Sequence, residues 1–363
     1  MPEYLAPGVY IEEVPFGSHP IEGVFTSTTG FLAVSSGKSV LGPLTSFTDF
    51  QRAAGSSPSV NLPLAVRGYF ENGGRRCFVS QIAAADPLEE ALAALDAHAI
   101  SLLCCPDEAA IPNAQAVMVA HCERRKDRMC ILSSPLPVLP VATHPLPVHS
   151  SYAAYYFPWL VVNALDGTSA MTIPPCGHIA GVYARTDTQA GVWKAPADAS
   201  LAGVTALTQS LTSAESDQLN ALGIDVIRTF AASGIRVWGA RTTSSDPDYK
   251  YVNIRRLLIY IEKSIDLGVQ WAVFEPNGPA MWNTVRAAVE NFLIGIWRSG
   301  GLQGSKVDEA FFVRCDESTM TQTDIHHGRL GLLVGVAPTR PAEFVLLRIT
   351  IQTEAVSPPL TGK

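Results

Sequence analysis

Three groups of residues in this 363-residue chain have side chains suited to chemistry. Ser36-Gly37-Lys38-Ser39 carries the Gly-Lys-Ser of a phosphate-binding loop. Such a loop needs a glycine five positions before Gly37 and a helix after it, so that main-chain N–H groups can cradle a phosphate. Leu32 stands at that position, Gly30 comes two residues too early, and Leu41-Gly42-Pro43 breaks any helix. Cys176-Gly177-His178, Cys104-Cys105 and His326-His327 offer metal-binding atoms. A zinc site wants two ligand pairs at set spacing, which none of these supplies. Asp166, Ser169 and His178 are the residue types of a hydrolase triad. No serine sits on a G-x-S-x-G turn, and closeness along the chain carries little weight for a triad. The expectation is no catalytic residue, no cofactor and no metal.

Any such groups would have to be positioned by a two-domain chain, at ~100–200 residues per domain. Charged residues make up 16%, against an ordinary ~25%, so part of the surface is expected to be covered by partners. The net charge of −7 leaves no basic field for nucleic acid. The densest basic stretch, Arg124, Arg125, Lys126 and Arg128, reads as a solvated helix end. Seven cysteines at irregular spacing read as free thiols in a reducing cytosol. Residues 1–10 lack the basic and apolar regions of a signal peptide. The longest apolar run, Tyr152 to Leu165, is interrupted by Pro158 and Asn163 and is too short to span a bilayer, so no membrane insertion is expected.

Along the chain, Gly8 to Val14 is rich in β-formers and stops at Pro15, and Phe16 to Pro20 reads as a connector. Strands are predicted over Thr29–Val34, Cys77–Ile82, Ile100–Cys105, Met129–Ser133 and Tyr155–Val162, with helices over Leu62–Phe70, Pro87–His98 and Ile111–Arg124 between them. That alternation predicts an α/β sheet. The stretch from Pro135 to Pro147 reads as a surface loop. Asp217–Leu222 reads as helix, then Gly223–Arg228 and Gly234–Gly239 as a strand pair. From about Asp246 a second unit begins. Its helices are Val252–Asp266 and Met281–Arg298, the latter with Trp282, Val285, Val289, Phe292, Leu293 and Ile296 in one stripe. Ala310–Arg314 and Arg329–Val336 read as strands. In Phe344 to Thr353, Val345, Leu347, Ile349 and Ile351 alternate with polar or outward positions, the period of a strand with one apolar face. The expected architecture is thus α/β with two domains and mixed sheets. It comprises an N-terminal segment and linker (1–20), a first domain (21–245), a second domain (246–343) and a C-terminal strand segment (344–363).

Five blocks in order resemble the tail sheath family of contractile phages and phage-tail-like injection particles. They are Ala6-Pro7-Gly8-Val9-Tyr10-Ile11-Glu12-Glu13 with Pro20–Val24; Ala65 to Gly74; Ile173 to Ala197; Val237 to Thr242 with Tyr251–Arg256 and Phe274–Asn277; and Pro338 with Pro341–Phe344. The resemblance covers nearly the whole chain. It departs at Cys176 and His178, where the family usually has small residues. The short length resembles a minimal sheath. The resemblance makes the four parts, in order, an arm, an outer domain, an inner domain and a second arm.

The resemblance implies a helical homo-oligomer of stacked hexameric rings around an inner tail tube protein, meeting baseplate and terminator proteins. It also implies assembly in the bacterial cytoplasm and a place in a virion tail or released injection particle. Contraction from a metastable extended state would drive the tube through an envelope. The arms would be exchanged between subunits: Val9, Tyr10, Ile11, Glu12, Glu13 and Val14 at one end, Phe344, Val345, Leu346, Leu347, Ile349 and Ile351 at the other. An extended segment on another chain's sheet edge gains main-chain hydrogen bonds while alternate side chains fill pockets. Pairing of both strands within one subunit is the competing arrangement. Arg255, Arg256, Lys263, Arg286, Arg298 and Lys306 are the candidates to face the tube. The alternatives are an α/β hydrolase or nucleotide-binding enzyme, or a non-contractile baseplate or capsid protein.

Overall fold

A computed structural model describes residues 19–35, 39–54, 59–83, 86–136 and 148–341. Both predicted arm strands, the residues Ser36–Lys38 and most of the Pro-rich loop lie outside the described residues.

The elements follow in chain order. The first half holds β1 (Thr29–Val34), β2 (Ser39–Leu44), α1 (Phe47–Ala54), α2 (Asn61–Glu71), β3 (Cys77–Ile82), α3 (Leu88–Leu95), β4 (Leu102–Cys104), α4 (Ala114–Arg125), β5 (Met129–Ser133) and β6 (Ala153–Phe157). Then come β7 (Leu160–Asn163), β8 (Ala170–Ile173), α5 (Cys176–Ala190), β9 (Ala199–Ser200), β10 (Val204–Leu207), α6 (Ser213–Ala221), β11 (Ile224–Phe230) and β12 (Gly234–Val237). The last part holds α7 (Val252–Gly268), α8 (Pro279–Arg298), α9 (Val307–Ala310), β13 (Phe311–Arg314), α10 (Gln322–His326) and β14 (Leu333–Val336).

Strand order in the main sheet is β2-β3-β1-β4-β5-β6-β11-β12-β9. The run from β3 to β11 is parallel, and β2, β12 and β9 add antiparallel edges. Parallel strands need both faces covered, which accounts for their nearly continuous apolar sequence. Successive residues therefore serve opposite cores. Phe31, Cys104, Ile131 and Tyr156 face α2 and α5, whereas Leu32, Leu103, Leu132 and Tyr155 face α3 and α4.

The crossing of α2 and α5 is unusually close. A Cβ on Gly177 would lie 2.4 Å from the Ala65 carbonyl oxygen, and one on Gly181 2.4 Å from that of Tyr69. Gly68 gives up its own side-chain space to the His178 ring. That compensation explains how a buried histidine fits at this crossing.

The expected strand Tyr155–Val162 is two strands. Pro158 has no N–H for a ladder, and past it the chain leaves the main sheet. There β7 joins β8 and β10 in a separate three-stranded antiparallel sheet. The second unit packs α7 and α8 over β13–β14, an antiparallel pair, through Leu257, Ile261, Val289, Leu293, Phe311 and Val313. Pro279 opens α8 and Gly300, at φ +84°, follows its end, as the start and stop signals predict. Among the described residues no helix is long and apolar enough to cross a membrane.

Candidate assembly interface

The tempting chemical groups do not assemble. After Ser36–Lys38 comes the strand β2 and not a helix, so the phosphate-loop context is missing. Asp166 lies on the exposed β7–β8 turn, where its carboxylate accepts from the Thr168 N–H at 3.0 Å. His178 is buried at the start of α5, and burial, helped by Arg67, lowers its pKa to about 4. All seven cysteines are free and buried. No cluster of three or more metal-ligating side chains exists among the described residues.

What the structure does build is a clamp on the chain entering from the N-terminus. Residues 19–27 run along α7. The His19 ring stacks on Trp271 at 3.9 Å, and Ile21 occupies the space left by Gly268. Gly23 sits against the Tyr260 hydroxyl, and the Val24 N–H donates to Ser264 Oγ at 3.1 Å. At the far end, Arg256 donates to both oxygens of Asp187 at 2.9 and 2.6 Å and to the Thr26 carbonyl at 2.9 Å. The Thr26 hydroxyl donates to the same carboxylate at 2.5 Å, and the guanidinium lies 4.8 Å from the Tyr183 ring. A fork-shaped, weakly hydrated guanidinium is suited to such a dry, bidentate position. One ion pair thus joins α7, α5 and the chain's entry segment. Asn253 adds a second tie, donating to the Trp193 carbonyl at 2.9 Å.

This geometry corrects two expectations. Arg256 cannot face a tube, because its side chain is 3% exposed within its own subunit. Arg255 is buried too, held between the Tyr152 and Tyr249 rings at 4.5 and 4.1 Å. The rings offer a cation–π surface and cover the rest of the side chain. Arg298 and Lys306 are exposed, and Lys263 and Arg286 are half-buried beside Asp266 and Glu290. The basic run after α4 is only partly solvated. Arg128 is fully buried, donating to Asp127 at 2.7 Å and to Asp96 at 3.0 Å. No periodicity announced these partners, since Asp96 and Asp187 sit on other elements.

The chain leaves the described region from the same unit. Pro338 bridges to Leu302, the Thr339 N–H donates to the Gly301 carbonyl at 3.2 Å, and Arg340 pairs with Asp248 at 3.0 Å. The sheet edges differ in kind. β2 carries Pro43 and a register shift between Leu41 and Leu44, and β9 is two residues long. Both features discourage pairing with another strand. By contrast, among the described residues β13 and β14 pair only with each other and leave a free edge on each side.

The fold is an α/β sheet with a second helical unit, and the entry segment is clamped between α7 and α5. Two family models match the chain: the phage tail sheath protein central domain over residues 82–243 and the phage tail sheath C-terminal domain over residues 244–352. The chain belongs to the phage tail sheath family, whose members are structural proteins and not enzymes. It is 34% identical to a chain in the anti-feeding prophage baseplate structure, with a TM-score of 0.78, covering 97% of this chain and 100% of that one. A chain of the PVC extracellular contractile injection system sheath in its contracted state is 30% identical, with a TM-score of 0.81 over 96% of this chain and 98% of that one. The tail sheath protein of Vibrio phage KVP40 is 27% identical over 50% of this chain, and the putative prophage major tail sheath protein of Pseudomonas aeruginosa 30% over 50%. The chain matches only 27% and 47% of the length of those two proteins.

Proposed function

We propose that the chain is the repeating unit of a helical sheath, in stacked hexameric rings, that surrounds an inner tube and drives it outward by passing from a metastable extended form to a contracted one. Subunits are held by exchanged arms. The strands Val9–Val14 and Phe344–Ile351 add to the β13–β14 pair of neighbouring copies, which has two edges to offer. The single observation carrying this reading is that, among the described residues, the two-stranded β13–β14 sheet, too short to be independently stable, is open on both sides, whereas the large sheet is blunted at both ends. The apolar alternation of the C-terminal arm suits the inner face already covered by Phe311, Val313, Val334 and Val336. Each added strand gains main-chain hydrogen bonds and several kcal/mol from about four buried apolar side chains, less the ordering of the arm. The contracted-state neighbours support the shortening step. Tube, baseplate and terminator contacts, and assembly in a bacterial cytoplasm before release, follow from the same reading.

Deleting Met1–Val14 tests it. The expected product is a folded subunit that forms no tubes by negative-stain microscopy when expressed with its tube protein. Tubes of normal length from the deletion would remove arm exchange as the tether.

A further inference from the structure

Beside the clamped entry segment lies a groove of about 590 Å³ that the described residues leave unfilled. Its floor is one face of α7 and the turn after it, with Ile259, Tyr260, Lys263, Leu267 and Trp271, and Phe25 forms the opposite wall. Phe25 and Leu267 are mostly exposed, at 74% and 52%. An apolar groove this open on a subunit that must stay soluble before assembly calls for a cover.

We infer that, before assembly, the groove holds the subunit's own residues Val9–Val14, parked away from neighbouring sheets. Three observations point to that occupant. His19, where the described chain begins, lines the groove's mouth and stacks on Trp271. From Ile259 to Trp271 the floor runs about 18 Å at the rise of a helix, and six extended residues span about 20 Å. Between Val14 and His19 stand Pro15, Phe16, Gly17 and Ser18, a four-residue connection with turn-forming chemistry that can bring Val9–Val14 back beside residues 19–24. The chemistry of the two surfaces agrees. Val9 and Ile11, on one face of the extended segment, suit the apolar floor, and Glu13 on that same face passes Lys263, whose present partner Asp266 is a loose 3.7 Å away. The inference rests on the arm-exchange reading. It adds that a subunit must free its arm before it can donate it, so free subunits polymerise slowly until a growing sheath end offers a better site.

The test uses the full chain, purified unassembled, with the paired substitutions Ile11→Cys and Leu267→Cys. The seven native thiols are buried and do not compete. The expected result is a disulfide within one chain, in a monomer that builds tubes only after reduction. Two outcomes overturn the inference: failure to cross-link, or dimers from a mixture of the two single-cysteine variants as abundant as the intramolecular product. A second variant, Leu267→Asp, changes only an exposed groove residue and should shorten the lag before spontaneous tube growth about tenfold, the effect of one lost apolar contact. An unchanged lag also counts against parking. If the Met1–Val14 deletion still builds tubes, the arm-exchange reading fails. If the deletion builds none but the cross-link is absent, only the parked state fails.

Discussion

Replacing Arg256 with methionine keeps side-chain length and removes the charge that holds α7, α5 and the entry segment together. Asp187 would then remain, its side chain 7% exposed, as a carboxylate without its cation, with the Thr26 hydroxyl still donating to it. Stranding one member of a buried pair costs about 3–5 kcal/mol. The Thr26 carbonyl also loses a donor, worth about 1 kcal/mol. A second variant, Arg256→Met with Asp187→Leu, removes both charges and replaces them with apolar bulk. Because desolvating two ions offsets much of their attraction, the double variant should recover at least half of the loss. Urea unfolding of the unassembled subunit, followed by tryptophan fluorescence, measures both. A single-variant loss below about 1 kcal/mol would place the pair in the wet, weak class of surface bridges and refute the argument. So would a double variant as unstable as the single, because the penalty would then not come from an uncompensated charge.

Other perturbations have defined outcomes. Burial pushes the Glu108 carboxyl up to about 8 from an ordinary 4.5, so the folded state favours its neutral form. Its stabilising contribution is present below pH 4.5 and is lost as pH rises towards 8, on the order of 5 kcal/mol in all. Glu108→Gln should match the parent near pH 4 and exceed it increasingly up to pH 8 in thermal melts; a gap independent of pH would contradict the assignment. Gly177→Ala should cost about 1–3 kcal/mol, because its Cβ meets the Ala65 main chain and not a flexible side chain; a neutral result by urea titration would mean that α2 and α5 can separate freely. Reversing the exposed charges Arg298 and Lys306 to glutamate should leave stability within about 0.5 kcal/mol and weaken sheath co-assembly with the tube in a salt-dependent way; sedimentation of mixed assemblies at two salt concentrations reads this out, and unchanged pelleting excludes these residues from the tube contact.

How much was legible follows the kind of signal each element carries. The parallel strands show themselves as apolar runs, and α8 shows a stripe that the structure buries through Trp282, Val285, Val289, Leu293 and Ile296. Helix α5 shows none. From Cys176 to Ala184 every residue is buried, because sheet, α2 and neighbouring loops cover it all round, so no periodic contrast exists to detect. Its glycines marked the close crossing only once Ala65 and Tyr69 stood opposite.

The sequence by itself determined the α/β class, the second unit's helices and the family, because these rest on local chemistry and on residue order. Tertiary structure alone decided that Arg255, Arg256 and Arg128 are internal ties and not surface charges, and that β13 and β14 pair only with each other among the described residues. Periodicity along a chain reports how wet each position is when its neighbours are apolar. It cannot report a charge made dry by a partner 69 residues away, as Asp187 is from Arg256, since that burial exists only after distant elements have met.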